Sequence, residues 1–113
     1  MPYQEKDPMQ TAIGAKVRWG KTVLSDSVQA ILRDDPVAAM SLNTIIRFHQ
    51  NGQWGNVSRE DAEENDTAVI DGGEIVSSYQ LQGRTVFVVT DAEPRETTRV
   101  LFPEEYDSAG KED

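Results

Sequence analysis

The chain has 113 residues, 37% of them hydrophobic, with 20 acidic against 11 basic side chains, a net charge of −9 and no cysteine. That length allows one domain with one modest core, and the lack of cysteine excludes disulfides, thiolate metal sites and a cysteine nucleophile. The acidic balance excludes binding of DNA or an anionic membrane through a broad basic surface.

The opening MPYQEKDP mixes proline with charge and has no apolar stretch, so it does not read as a signal peptide. No apolar run approaches the ~20 residues that span a bilayer, and the expected compartment is the cytoplasm. Residues 1–14 read as a flexible lead-in, 15–106 as a single domain, and 107–113 as a disordered acidic tail. Ala15 to Leu24 is rich in β-branched and aromatic residues but broken by Gly20, which predicts a bent strand or hairpin.

Helical signals follow. Ser25 or Asp26 can cap a short helix with Val28, Ile31 and Leu32 on one face. Asp35-Pro36 opens another, running from Val37 to Gln50 as one helix or two. It sets Ala38, Leu42, Ile45, Ile46 and His49 in one stripe, and Asn51-Gly52 ends it. Ser58-Arg59-Glu60-Asp61 reads as the capped start of a third helix ending near Asp71, before Gly72-Gly73. At about 100° per residue, Glu60, Glu63, Glu64, Thr67 and Asp71 share one side. Ala62 and Val69 lie opposite, flanked by Asn65 and Asp66.

The last third alternates as strands do. Ile75, Ser77, Tyr79 and Leu81 fall on one face of a strand over 74–81, Gln82-Gly83 makes a tight turn into 84–91, and 97–102 forms a third strand stopped by Pro103. The expected fold is α+β: a three-stranded antiparallel meander packed against two or three N-terminal helices, with an additional strand or hairpin at about 15–24. The terminal strand TTRVLF presents an edge that could pair with a second copy of the chain.

Charge is divided unevenly: six basic and five acidic residues precede Val57, whereas five basic and fifteen acidic residues follow from there. A solvated helix face is the ordinary reason for such a run. The functional reading is a negative field, built from Glu60, Glu63, Glu64 and Asp71 with Glu93 in a neighbouring loop, that docks onto a basic surface, with Arg95 of the same loop as a further contact residue. Trp54, in a short turn, either closes the core or anchors an interface. His49 is the sole histidine. It could act with Asp61 beside the Trp54 turn as a general base, but its place near a helix end favours a structural role. Asp61, Glu64, Asn65 and Asp66 project around the helix instead of converging on a metal, and no phosphate-cradling loop, dinucleotide fingerprint or nucleophile elbow occurs. No catalytic residue, metal or cofactor is expected.

His49-Gln50, Gly52, Trp54-Gly55, Glu60-Asp61, Asn65-Asp66, Ser78, Leu81, Thr97-Thr98 and Pro103-Glu104-Glu105-Tyr106, in that order over about residues 41–106, resemble a small bacterial family of short uncharacterised proteins. Its members are often labelled plasmid-related and sometimes restriction-system subunits. The chain departs from the pattern at Gln53, where an acid is usual, and at Ala92-Glu93-Pro94-Arg95. The resemblance implies residence on mobile or accessory DNA and names no activity. The reading that results is a non-enzymatic acidic interaction protein with a basic protein partner, in its sharpest form an inhibitor of host defence or nucleic-acid machinery by nucleic-acid mimicry. A small enzyme using His49 and Asp61, and a homodimeric regulatory or scaffolding protein, are the alternatives.

Overall fold

The structure, a computed structural model, describes residues 17–110; the lead-in at 1–14 and the last three residues of the expected tail lie outside them. Chain order is β1 (Lys21–Leu24), α1 (Asp26–Asp34), α2 (Pro36–Gln50), α3 (Arg59–Asp71), β2 (Ile75–Leu81), β3 (Arg84–Thr90), β4 (Thr97–Leu101) and α4 (Pro103–Gly110). The fold is α+β, a sheet with helices from the N-terminal half packed against it.

Each helix starts where a side chain can satisfy a free amide. Ser25 Oγ accepts from the Val28 N–H, Asp35 Oδ1 from Val37 and Ser58 Oγ from Asp61. With Pro36 at its first position, α2 runs unbroken to Gln50. Gly72, at φ 90°, ends α3 in the left-handed conformation that glycine adopts without steric penalty.

The sheet has four strands in the order β1-β4-β3-β2. β2, β3 and β4 form the expected antiparallel meander, and Gln82 and Gly83 both take positive φ in the two-residue turn between β2 and β3. The additional strand expected within 15–24 is present as Lys21–Leu24. It makes no hairpin within the described residues; Lys21–Leu24 pairs in parallel with β4, so the sheet is mixed. Gly20, at φ 69°, brings the chain so close to Glu96 that a Cβ would lie 2.5 Å from its carbonyl oxygen. This docking makes β4 an interior strand, and the TTRVLF edge expected to pair with a second copy is already occupied. At the far side of the sheet, the outward backbone groups of β2 are taken at Val76 and Ser78. The Asn65 amide donates to Val76 O and accepts from Val76 N–H, and Ser78 exchanges bonds with Trp54 O and Asn56 N–H. Such plugging suppresses edge-to-edge association.

A second difference lies at the C-terminal end. The chain does not become irregular after Tyr106 but continues as α4 to Gly110. Pro103 and the acids Glu104 and Glu105 in the first turn are helix-start signals that were present in the sequence. Glu105 Oε1 also accepts from the Phe102 N–H at 2.7 Å.

Alternation along the strands sends Ile75, Ser77, Tyr79 and Leu81 to the helix-covered face, all of them buried. The main cluster joins Val28, Leu42 and Ile45 to Tyr79, Val88 and Phe102. A second, smaller one gathers Trp54, Ala68 and Ile75, with Trp19 and Val57 against it.

Candidate functional site

Residues 58–71 put the predicted carboxylates where the helical arithmetic expects them. Glu60, Glu63, Glu64 and Asp71 line one shallow concavity of about 290 Å³ together with Thr67 and Ala68. α3 contains one cation, Arg59, whose Nε lies 3.4 Å from Glu63 Oε2 with both side chains largely exposed; water screens such a pair almost completely. The face therefore remains strongly negative. The buried side of the helix is narrow, led by Asn65 and Ala68 instead of the expected Ala62 and Val69, which are half-buried.

The loop after β3 abuts the end of this helix. Glu93 N–H donates to Gly72 O at 2.9 Å, and the Glu93 side chain packs over the bare Cα of Gly72 while staying exposed to solvent. Glu93 thus extends the negative surface beyond Asp71. Arg95 does the opposite of what an interface residue does: it is 3% exposed. Its guanidinium donates to Ala68 O at 2.9 Å and Asp91 O at 3.0 Å, with Glu93 Oε2 3.8 Å from Nε. A buried cation on the last-turn carbonyl of Ala68 is favourable with respect to the helix dipole, so Arg95 fastens α3 to the sheet and offers nothing to a partner. Arg95→Leu should destabilise the fold by about 2–3 kcal/mol, because both carbonyls lose a charged donor; urea denaturation measures it.

Trp54 is 6% exposed, and its indole N–H donates to Asp66 Oδ1 at 3.0 Å. It closes the smaller core and is not an exposed anchor. Asp66, flanking the apolar stripe, is where that donor finds its acceptor.

His49 forms the seam between the two apolar clusters. Its ring meets Trp19 and Trp54 edge-on, at centroid distances of 5.2 and 5.8 Å. Nδ1 lies 2.5 Å from Ser77 Oγ and Nε2 2.8 Å from Thr90 Oγ1, which is 2.7 Å from Thr98 Oγ1, and the Thr98 hydroxyl donates to Trp19 O. One proton per hydroxyl fixes the direction of the chain. Thr98 spends its proton on Trp19, so Thr90 donates to Thr98 and must accept from His49. The imidazole therefore carries its proton on Nε2 and accepts from Ser77 at Nδ1. Burial holds the His49 pKa down to about 3.

His49 and Ser77 are fully buried, and a hydroxyl, not a carboxylate, stands behind the ring. Nor does the structure unite His49 with Asp61. His49 is bonded from the helix-covered face of the sheet, whereas Asp61 lines a cleft over the other face. The histidine is placed to order a core, not to take a proton from a substrate.

That cleft, of about 460 Å³, was not anticipated from the sequence. Val76, Ser78 and Phe87 form its floor, Asp61 and Glu64 of α3 one side, and Tyr106 of α4 another. The Phe87 and Tyr106 rings meet edge-to-face at 5.7 Å, and the Tyr106 hydroxyl donates to Glu74 Oε1 at 2.8 Å. Arg99 lies 3.9 Å from Glu74 and 3.7 Å from Asp91. The 53–57 loop parts the cleft from an apolar groove of about 410 Å³ beside Ile45, Phe48 and Tyr79. Burial raises the Tyr79 pKa; its hydroxyl donates to Gln53 O at 2.6 Å. Strand alternation implies Ser78 on the face away from the core, and the β2–β3 register sets Phe87 opposite it; what the sequence did not reveal was that α3 and α4 would wall that face.

Among the described residues no three acidic or histidine side chains converge as metal ligands, and no helix is long and apolar enough to cross a membrane. No family model, curated protein or solved structure matches the chain.

Proposed function

We propose that the chain is a non-enzymatic interaction protein whose acidic α3 face docks onto a basic protein partner. The observation that carries this reading is the shared surface of Glu60, Glu63, Glu64 and Asp71, opposed within its helix by one screened arginine and lengthened by Glu93. Such a field attracts a cationic surface, speeds encounter and rejects anionic competitors. It rests on a braced element: Asn65, Asp66 and Ala68 tie the other side of α3 to the sheet edge, to Trp54 and to Arg95.

Interference with nucleic-acid or host-defence machinery is the sharper form, motivated by the resemblance to plasmid-related proteins. The four carboxylates span about 17 Å of helix, a thinner spacing than the ~3.4 Å per phosphate of one DNA strand. Mimicry on α3 alone is thus partial, and Glu93 and Asp91 would have to contribute.

Immobilised protein is expected to retain basic host proteins at low salt and release them at high salt. Reversing Glu60, Glu63 and Glu64 to lysine should cut retention about tenfold, while reversing Asp26 and Asp34, distant in sequence on α1, should not. Retention that survives the α3 reversal overturns the proposal.

A further inference from the structure

The cleft over the outer face of the sheet holds an unexplained group. Ser78 is 7% exposed, and its side chain points with Val76 and Phe87 to the side away from the core. Its backbone is bonded to Trp54 and Asn56, yet its hydroxyl has no partner among the described residues, unlike those of Ser77, Thr90 and Thr98 on the opposite face. The hydroxyl is not sealed in the interior, where such groups are rarely left unpaired; it opens onto the cleft, within reach of whatever enters it.

The charges around that cavity are unbalanced in one place. Glu74 already has the Tyr106 hydroxyl and Arg99. Arg59 is turned to Glu63. Asp61 and Glu64, one helical turn apart, have no cation within 4.0 Å among the described residues. Below them, Val57 and Val76 are apolar, and Phe87 with Tyr106 supplies aromatic surface.

A ligand that satisfies all of this has an aliphatic stem, a cationic head with several N–H donors and a flat surface for an aromatic ring. We infer that the cleft is the anchor site for one arginine side chain of the basic partner, with its guanidinium shared between Asp61 and Glu64 and its remaining donors directed to Ser78 Oγ. The planar, forked guanidinium suits paired carboxylates and stacks on rings, whereas an ammonium is a compact, strongly hydrated charge. Glu64 also lines the exposed face of α3, so the cleft continues that surface, and the inference rests on the docking reading above. α3 attracts the partner; the cleft selects and holds one of its side chains.

The test is an NMR titration of the full chain with three blocked pentapeptides, Gly-Gly-X-Gly-Gly, where X is arginine, lysine or citrulline, the last having arginine's shape without its charge. The arginine peptide should shift the resonances of Ser78, Phe87 and Tyr106, bind more tightly than the lysine peptide, and leave the citrulline peptide without effect. Asp61→Asn, a substitution at an exposed site, and Ser78→Val should each weaken arginine binding about tenfold. Equal binding of citrulline or lysine overturns the inference, as do shifts that bypass Ser78 and Phe87. If arginine binding survives Asp61→Asn and Ser78→Val but falls with Glu60→Gln and Glu63→Gln, the cleft assignment is wrong and the docking face stands. The docking reading fails separately, when lysine reversal on α3 leaves partner capture unchanged.

Discussion

His49→Ala should destabilise the protein by about 4 kcal/mol, read as a lower urea midpoint at constant slope. Two effects combine. The vacated volume lies between Trp19 and Trp54, which cannot collapse onto each other without leaving their own contacts. Ser77 loses its acceptor and Thr90 its donor inside a core that admits no replacement. His49→Gln, which keeps a donor and an acceptor, should recover part of the loss. Acid should act through the same group. The unfolded chain takes up a proton on His49 below about 6.5, whereas the folded chain resists it until about 3. The stability that follows from this depression is therefore complete above the unfolded value. It is lost as pH falls from about 6.5 towards 3, by up to about 1.4 kcal/mol per pH unit. In His49→Gln that component of the acid slope should vanish.

Gly55→Ala is the other substitution with a large expected effect, about 4 kcal/mol or more. Gly55 sits at φ 76°, and a Cβ would lie 2.1 Å from Ser78 O and 2.7 Å from the Tyr79 ring. Relief requires the 53–57 loop to leave the edge of β2, breaking the bonds Ser78 makes with Trp54 O and Asn56 N–H and drawing Trp54 away from Asp66. Tryptophan fluorescence should shift to the red, and β2 should gain an open edge that favours aggregation. Gly83 supplies the contrast. It also has positive φ, but nothing lies within 4 Å of its Cβ position, so Gly83→Ala should incur only the backbone penalty of about 1 kcal/mol. Denaturation of both variants separates close approach from conformational strain.

These two sites bear on the proposed function through position. The Gly55 loop contributes Asn56, Val57 and Ser58 to the cleft, and Ser58 caps the helix that bears the carboxylates. The carboxylate face of α3 and the cleft beside it thus share one brace: Asn65 on Val76, Trp54 on Asp66, and Arg95 on Ala68. A lesion in that brace should impair binding while leaving every surface carboxylate in place.

Local physics was legible residue by residue. Ser25, Asp35 and Ser58 begin helices because each has an acceptor within reach of a free amide, and Gly72 ends one because it tolerates the left-handed region. The alternation of Ile75, Ser77, Tyr79 and Leu81 placed those four inside, and the helical period placed Glu60, Glu63, Glu64 and Asp71 together. Such features depend on neighbours within a few residues, so the order of residues suffices. Arg95 was misread because a charged residue in a polar loop reads as exposed. Only contact with the end of α3, 27 residues earlier, turns it inward.

Composition and periodicity by themselves determined an acidic α+β domain with a meander and one carboxylate-lined helix. Tertiary structure decided that β1 closes the β4 edge, that Asn65 and the Gly55 loop cover β2 at Val76 and Ser78, that His49 is held neutral between two tryptophans, and that Ser78 shares a cleft with Asp61 and Glu64. Each of these joins groups distant along the chain. Their energy depends on desolvation and on bonds completed across elements, quantities that exist only once the elements have packed.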